Sequence, residues 1–379
     1  MALMQVAAGV ARQRGWDLQA VTVDHALRAE AAAEAAMVGQ VARSLGLEHT
    51  VLRWSHGAIG GNLQDQARRA RYELLADWAA RQSISTVLLG HTADDQAETL
   101  LMGLARGAGL EGLCGMRPAW RQGGAVFARP FLDVPRADLR AFLQARGVGW
   151  VDDPSNSNPK FTRVRARQVL KALQGLAITP AQLAGTARHL ARAQSALESA
   201  AAEACAALCQ IRAGAVVVER DGFAATEPEL ARRIVLAALR WISGAEYAPR
   251  AASVARFQEA MTKGRSATLW GCRLRRRGDQ LWITREAAAL GGACPATEIW
   301  DGRWRMEGPF APGQTIAALG PAGLARCPAW RDTGLSRDAL VVSPAIWYDD
   351  LLIAAPLAGF SEGWKARIVA GEALFPVSH

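Results

Sequence analysis

Three acidic side chains are concentrated in one ten-residue stretch of the chain, from Gly90 to Thr99. Asp95 and Glu98 are three residues apart, and Asp94 and Glu98 are four apart, so a helix would place them on one face. Carboxylates grouped in this way can bind magnesium, accept hydrogen bonds from a base amine, or act as a general base. His91 precedes them in the chain. The stretch is therefore the first candidate for a catalytic or binding site.

A purely structural interpretation of the same stretch stays open. Thr92 and Asp95 have the spacing of a capping box, and acidic residues in a first turn interact favourably with the helix dipole. Capping accounts for one or two of these side chains. It does not account for three acids, Gln96 and His91 together, so we favour a functional role.

Helices and strands alternate at short spacing along the first part of the chain. The apolar pattern predicts helices over 1–14, 31–45, 64–81 and from Thr92 onward, and strands over 18–24, 49–52 and 85–89. This alternation predicts an α/β fold with a mainly parallel sheet, in which ligands bind beyond the carboxyl ends of the strands. Asp24, His25 and His91 lie at such ends.

Two arginine-containing segments are further candidates for phosphate contacts. The glycine-rich segment 106–113 would bring backbone amides and the Arg106 guanidinium to a phosphate, although a helix end followed by a turn explains its glycines equally well. Arg163, Arg165 and Arg167 open a later predicted helix, either as a phosphate-facing stripe or as an ordinary solvated face. We favour the stripe for these three arginines.

Composition narrows the class of protein. The chain has 379 residues, half of them hydrophobic, which is enough for more than one domain. A formal net charge of +9 indicates either a polyanionic partner such as nucleic acid or simple solubility charge. The six cysteines include no CxxC pair, so neither a zinc ribbon nor an iron–sulfur ligand set is predicted. No apolar run is long enough for a membrane span, and we expect a cytoplasmic protein.

Several segments of the first 175 residues together resemble a known family. In chain order they are Val21–Arg28, Asn62–Tyr72, Gly90–Thr99, Arg106–Leu113, Arg129–Leu132 and Trp150–Arg165. They resemble the "VDHGLR", "N-Q-x-x-A-R-x-x-R-Y", "GH-x-x-DDQ-x-ET", "RG-x-G-x-x-GL", "RPLL" and "DPSN" elements of the tRNA(Ile)-lysidine synthetase family, within the PP-loop ATP pyrophosphatase superfamily. Ala26 replaces the usual glycine of the first element.

The resemblance implies a reaction and its partners. The family uses ATP to activate the C2 oxygen of the wobble cytidine in the CAU anticodon of tRNA(Ile), and free L-lysine then displaces AMP to give lysidine. Free lysine is mostly protonated, with an ordinary pKa of about 10.4, so a carboxylate is expected to help remove a proton. We expect Mg²⁺ to bridge the triphosphate. A homodimer is left open.

The resemblance also implies a catalytic set and a nucleotide-binding set of residues. The catalytic set is Asp95 and Glu98, which match family positions that hold the target cytosine, and Arg163, the candidate for assisting them. The nucleotide-binding set is Asp24, His25, His91 and Arg106. No metal ligand is assigned.

One family element is missing from the sequence. The PP-loop, Ser-Gly-Gly-x-Asp-Ser, does not occur, and Met1–Met4 resembles the helix that follows it. We therefore expect the sequence to be truncated before or within the PP-loop, through a start codon assigned too late. Loss of the preceding strand would leave buried backbone groups unpaired, so a stable, active enzyme is hard to reconcile with the chain as given.

The expected organisation has three parts. Residues 1–175 form the PP-loop catalytic domain without its first strand and loop, 176–240 form a helical extension, and 241–379 form a C-terminal region that resembles a tRNA-binding domain. In this last region, 269–277 and 280–285 are predicted to form a hairpin. Arg273, Arg275 and Arg277 would share one of its faces, either as a tRNA-backbone contact or as an exposed strand.

Two other functions stay open at this point. One is a related PP-loop enzyme that thiolates tRNA cytidine, although such enzymes commonly carry the CxxC pairs that this sequence lacks. The other is a catalytically inactive tRNA-binding fragment, which the missing loop favours.

Overall fold

The computed structural model describes residues 1–25, 31–55, 63–150, 162–245, 247–369 and 374–375. It divides the chain into two units, Met1–Gln194 and Ser195–His379. The predicted loop 152–159, residues 26–28 and Asn62 of the family segments lie outside the described residues.

The first unit alternates helices and strands as the sequence predicts. Its helices are α1 (Ala2–Arg14), α2 (Ala31–Ser44), α3 (Leu63–Arg81), α4 (Ala93–Ala105), α5 (Leu110–Leu113), α6 (Arg136–Gln144), α7 (Thr162–Leu173) and α8 (Pro180–Leu208), the last of which crosses the boundary between the units. Its strands are β1 (Ala20–Asp24), β2 (His49–Arg53), β3 (Thr86–Leu88), β4 (Ala119–Gln122) and β5 (Ala125–Ala128).

Parallel pairing dominates the sheets of this unit. β1 pairs in parallel with β2, with Ala20 opposite His49. β3 pairs in parallel with β5, with Thr86 opposite Val126, and β4 returns antiparallel to β5. The predicted α/β class with parallel strands is confirmed, and the parallel strands carry their following residues, including His91 and Arg129, beyond their carboxyl ends.

The core between α3 and the β3–β5 sheet holds these strand ends in place. Leu75 and Trp78 of α3 are buried against Val87 of β3 and Phe127 of β5. Apolar residues three apart on the helix and two apart on the strands produce this packing. The residues that follow β3 and β5 therefore begin from rigid positions.

The second unit is built mainly from antiparallel sheets. Its helices are α9 (Arg220–Ala225), α10 (Pro228–Ser243), α11 (Ala251–Thr262), α12 (Gly320–Ala325) and α13 (Arg337–Val341). Its strands are β6 (Cys209–Arg212), β7 (Ala215–Glu219), β8 (Ala267–Leu269), β9 (Cys272–Arg277), β10 (Gln280–Arg285), β11 (Cys294–Pro295), β12 (Trp304–Glu307), β13 (Gln314–Ala318), β14 (Pro344–Tyr348), β15 (Leu351–Ala354) and β16 (Lys365–Ile368).

These strands form three sheets. The orders are β6-β7-β10-β9-β8, β11-β13-β14-β15 and β12-β16. Helices α10 and α11 bury Ile234, Leu239 and Phe257 against the five-stranded sheet, in one apolar core.

The predicted helical extension, 176–240, is interrupted by strands. Helix α8 ends at Leu208, and β6 and β7 occupy most of 209–219. The physical reason is the β-branched run Val216–Val218, which favours a strand, together with the turn glycine Gly214 at φ 76°. The prediction of helical structure is wrong for these two strands. The predicted domain boundaries after 175 and 240 stay predictions.

The predicted hairpin is confirmed, with a different start. β9 and β10 pair antiparallel around Gly278, but Trp270 and Gly271 turn the chain at φ 56° and 69°, so 267–269 is a separate strand. Arg273 and Arg275 point toward Asp338 of α13, at 3.7 and 3.9 Å. Part of the predicted basic face is therefore neutralised within its own unit.

Candidate active site

The start of α4 is a capping box. The Thr92 hydroxyl accepts a hydrogen bond from the Asp95 backbone N–H at 3.4 Å. In return, Asp95 Oδ2 accepts from the Thr92 backbone N–H at 2.9 Å and from its hydroxyl at 2.8 Å. The structural interpretation is thus confirmed for one oxygen of Asp95. The other, Oδ1, accepts from the Arg136 guanidinium at 3.3 Å.

Two polar neighbours of Asp95 connect α4 to the segments around it. Asp94 Oδ2 accepts from the backbone N–H of Arg136, at 2.7 Å, and so caps the start of α6. The buried Gln96 amide accepts from the Met116 N–H at 2.6 Å and donates to the Met116 carbonyl at 3.1 Å. Both side chains are used for structure, which the spacing of the acids alone did not reveal.

Glu98 is the centre of a cluster of arginines. Its side chain is fully buried, and Oε1 lies 2.7 Å from Arg167 Nε and 3.6 Å from an Arg136 guanidinium nitrogen. Oε2 lies 3.9 Å from Arg163 Nε and has no hydrogen-bond partner among the described residues. With Asp95, the cluster holds two carboxylates and three guanidinium groups, which leaves one positive charge.

The surroundings of Asp95 favour its ionised form. Burial by itself would raise its pKa, but the Arg136 guanidinium and the hydrogen bonds from Thr92 hold the pKa of Asp95 below its ordinary value. A carboxylate in this state accepts hydrogen bonds well and retains a proton poorly. The arrangement suits Asp95 to orienting a cation or an amine.

His91 is neutral at physiological pH. Burial, as the largest cause, and the Arg129 guanidinium together lower its pKa to about 4, whereas Asp95 acts in the opposite direction. Arg129 Nε donates to His91 Nδ1 at 3.1 Å. His91 therefore belongs to the site as a fixed, uncharged ring.

Arg129 is a site residue that the sequence did not reveal. Only 6% exposed, it donates to the Arg117 carbonyl at 2.6 Å and to the Tyr72 hydroxyl at 3.2 Å, and it lies over the Trp120 ring at 4.1 Å. The available signal was the resemblance of Arg129–Leu132 to the family's "RPLL" element, to which no role was assigned. Arg136 had no such signal, because only the tertiary contacts bring α6 to α4.

The other predicted residues occupy separate places. His25 follows β1, meets Trp54 edge-on at 5.9 Å, and has a buried Nδ1 without a hydrogen-bond partner among the described residues. Burial lowers the pKa of His25, and Arg71 lowers it further; Arg71 also lowers that of His91. One guanidinium thus lies within electrostatic reach of both histidines.

Arg106 is exposed and lies at the far end of α4 from Asp95. The eleven helical residues between them correspond to a distance of about 16 Å along the helix axis.

A cavity of about 680 Å³ adjoins the cluster within the first unit. Thr92, Asp95, Arg136 and Arg167 line one part of it, and Met37, Val38, Leu139 and Leu143 line an apolar part. The cavity is large enough for a small organic substrate. Among the described residues, no group of three or more His, Cys, Asp and Glu side chains is placed to hold a metal ion.

Comparison with known proteins places the chain in a family. Residues 1–173 match the model of a PP-loop domain. Over 358 residues the chain is 46% identical to the tRNA(Ile)-lysidine synthase of Ruegeria pomeroyi, covering 94% of this chain and 85% of that protein. The chain belongs to the tRNA(Ile)-lysidine synthase family. The resemblance found in the sequence is confirmed.

A second curated relative agrees with this membership. The tRNA(Ile)-lysidine synthase of Hyphomonas neptunium is 40% identical over 299 residues, which cover 76% of this chain and 79% of that one. Among solved structures, the U34-tRNA thiolase NcsA from Methanococcus maripaludis has a TM-score of 0.43 and 13% identity, covering 50% of this chain and 66% of that one. As a family member the chain is a carbon–nitrogen ligase of tRNA processing with an ATP-binding PP-loop domain. None of its described helices has the length and apolar character needed to cross a membrane.

Proposed function

We propose that the chain ligates lysine to C2 of the wobble cytidine in tRNA(Ile) with a CAU anticodon, in an ATP-dependent reaction through an adenylated cytidine. Lysidine is the product. Two observations support the proposal: the 46% identity to a curated tRNA(Ile)-lysidine synthase, and the buried Glu98 carboxylate, one oxygen of which accepts no hydrogen bond from the described residues. The free hydrogen-bonding capacity of Glu98 Oε2 is the observation that supports cytosine as the target nucleobase.

Glu98 fits the amine of cytosine. A buried carboxylate oxygen without a hydrogen bond carries a desolvation cost, and a donor that approaches Oε2 would remove that cost. The N4 amine of cytosine is such a donor, and carboxylates accept from it. Uracil presents a carbonyl oxygen at the same position, which a carboxylate repels. Glu98 would therefore select cytidine over uridine, with Arg163 assisting from 3.9 Å.

Asp95 is the carboxylate we propose for lysine. Its Oδ1 faces Arg136, and its low pKa favours a hydrogen bond from the ε-ammonium group. The amine then attacks C2 as the bond from C2 to its oxygen breaks, and that oxygen leaves with AMP. Orientation of the amine is the contribution we propose for Asp95. The ε-ammonium group loses one proton to solvent water before the attack, and Asp95 holds the neutral amine that results.

Asp24, His25, His91 and Arg106 are proposed for ATP. The unpartnered Nδ1 of His25 at the end of β1 fits a polar ligand beyond the strand ends. Mg²⁺ commonly binds through one or two carboxylates together with phosphates and waters, so it would arrive with the triphosphate and needs no dedicated set of ligands. A cytoplasmic location, where tRNA and ATP are available, is part of the proposal.

Incorporation of labelled lysine into a tRNA(Ile) transcript tests the proposal. Because the sequence lacks Ser-Gly-Gly-x-Asp-Ser, we would assay the 379-residue chain and a version in which in-frame upstream codons are also translated. Incorporation should require ATP and a wobble cytidine, and a wobble uridine should abolish it.

Variants of Glu98 complete this test. Glu98→Gln should lower kcat/KM by about 10- to 100-fold or more, the range of one lost base contact. Asp77→Asn, at an exposed acid of α3, is the matched control and should leave activity unchanged. Equal activity of Glu98→Gln and the control would contradict the role of Glu98.

A further inference from the structure

Arg129 is a buried cation with unusual partners. Within the described part of the chain no acidic side chain pairs with it, and its hydrogen bonds go to a carbonyl, a phenol hydroxyl and the imidazole of His91. A buried guanidinium that is not neutralised by a carboxylate is costly to the fold. Such a cost is characteristic of residues kept for function.

The contact with His91 determines where the imidazole proton lies. A guanidinium only donates, so His91 Nδ1, at 3.1 Å from Arg129 Nε, must be the acceptor. The single proton of the neutral ring is then on Nε2. Among the described residues, Nε2 has no hydrogen-bond partner, so its N–H is available to a ligand.

The charges around His91 keep the ring in this state. They come from three helices and from the residue after β5: Arg71 on α3, Asp95 on α4, Arg163 on α7, and Arg129 itself. Burial and the three arginines, against the single opposing carboxylate, bring the pKa of His91 to about 4. Near neutral pH the ring is therefore a hydrogen-bond donor at Nε2 and not an acid–base group.

We propose that Arg129 is a positioning residue, which fixes His91 as an Nε2–H donor to an anionic oxygen of the bound nucleotide. The ligand class rests on the proposed function, in which His91 borders ATP. The fixed tautomer does not rest on it. The two parts can therefore be tested separately.

The tautomer is measured by ¹⁵N NMR of the imidazole rings in the full 379-residue chain, without substrates. The chain has six histidines, and the His91 signals are assigned by their loss in His91→Gln. We expect a protonated Nε2 and an unprotonated Nδ1. Arg129→Met should mix the two tautomers and raise the pKa of His91, while Arg129→Lys should preserve more of the Nε2–H form. A wild-type ring protonated at Nδ1 would overturn the proposal, and only the His91→Gln variant used for assignment has to fold.

The donor role is measured by lysine incorporation. A glutamine amide can place an N–H near the position of Nε2, whereas an asparagine amide reaches only the position of Nδ1. His91→Gln should therefore retain at least several-fold more activity than His91→Asn. Arg129→Met should lose activity at pH values where the His91 ring is neutral and its two tautomers mix, and Arg129→Lys should retain more of that activity. Equal losses in the two His91 variants would refute the donor role.

Failure of the proposed function gives a different pattern. In that case the wild-type chain shows no lysine incorporation, while the NMR spectrum still reports a His91 ring protonated at Nε2. If the spectrum shows the other tautomer while lysine is incorporated normally, only the role of Arg129 is refuted.

Discussion

At the scale of single residues, the three acidic side chains in the first two turns of α4 have different roles. Asp94 accepts from a backbone N–H of α6, Asp95 divides its oxygens between the capping box and Arg136, and Glu98 lies buried among arginines. The difference comes from where each side chain points on the first two turns. Substitutions should therefore separate stability from activity.

Asp94 and Glu98 provide the first such comparison. Asp94→Ala removes a helix cap and should lower the free energy of unfolding by about 1 kcal/mol. Its lysine incorporation per folded molecule should stay within a few-fold of wild type. Glu98→Gln should show a large loss of kcat/KM per folded molecule together with a loss of stability, because it removes the carboxylate that neutralises Arg136, Arg163 and Arg167. Thermal unfolding together with steady-state kinetics measures both, and a Glu98→Gln protein whose loss is explained by unfolding would contradict this assignment.

His91 should make stability depend on pH. Its pKa in the folded chain, about 4, is below the ordinary value of 6.5, so between these values the folded chain binds fewer protons than the unfolded one. The free energy of unfolding should therefore fall as the pH decreases from 6.5 to about 4. When denaturation is measured at a series of pH values, the free energy of unfolding of His91→Gln should decrease less than that of the wild-type chain. His189→Gln, at an exposed position of α8, is the control, and an equal slope in all three proteins would refute the prediction.

At the scale of elements, α4 is the centre of the first unit. Thr92 and Asp95 fix its start, Gln96 holds the loop at Met116, and Gly103 lies directly against Gly112. The close approach at Gly103 leaves no room for a side chain. The position of the following loop therefore depends on one glycine.

Gly103→Ala tests this dependence. A Cβ at Gly103 would lie 2.7 Å from the Gly112 carbonyl oxygen, and backbone cannot move aside as a flexible side chain can. We expect the free energy of unfolding to fall by about 1–3 kcal/mol, as is typical of overpacking, although alanine has the better helix propensity. Gly9→Ala, in α1 with nothing within 4 Å of the new Cβ, should gain up to about 1 kcal/mol. Urea denaturation compares the two, and similar free energies for both variants would contradict the close approach.

Local pattern was sufficient to predict some elements and not others. β1, β2, β3 and α4 were found from periodicity and strand-end residues, because their burial follows from one face or one short apolar run. β6 and β7 were missed because an alanine-rich helix runs directly into them, and the run Val216–Val218 pairs with β10, more than sixty residues later.

The site shows the same limit. Asp95 and Glu98 share a helix, so their spacing predicted their proximity. Arg129, Arg136 and Arg167 reach the same place from three other segments, and their grouping depends on tertiary packing. Sequence spacing cannot show contacts of that kind.

At the scale of the whole molecule, the net charge of +9 is the feature most relevant to a tRNA partner. Part of the basic strand β9 is directed at Asp338, whereas Arg276 and Arg277 at its end are exposed. We propose that these two exposed arginines contribute to backbone contacts with tRNA. Such contacts release counterions and make affinity depend on salt.

Titration of tRNA(Ile) at several salt concentrations tests that proposal. Arg276→Gln combined with Arg277→Gln should weaken the binding of tRNA(Ile). It should also reduce, by about 1–2, the slope of the logarithm of affinity against the logarithm of salt concentration. Lys263→Gln, which removes an exposed lysine paired with Glu259, is the control and should change neither quantity. An unchanged slope in the double variant would mean that the end of β9 does not contact the tRNA backbone.

The most direct test of the central claim is the chemical identity of the wobble nucleoside. After incubation with ATP and lysine, tRNA(Ile) with a CAU anticodon is digested to nucleosides, and their masses are measured by mass spectrometry. The account predicts a wobble nucleoside with the mass of cytidine plus lysine minus one water, formed by the wild-type enzyme and strongly reduced with Glu98→Gln. An unmodified cytidine, or a modified one that lacks lysine, would contradict it.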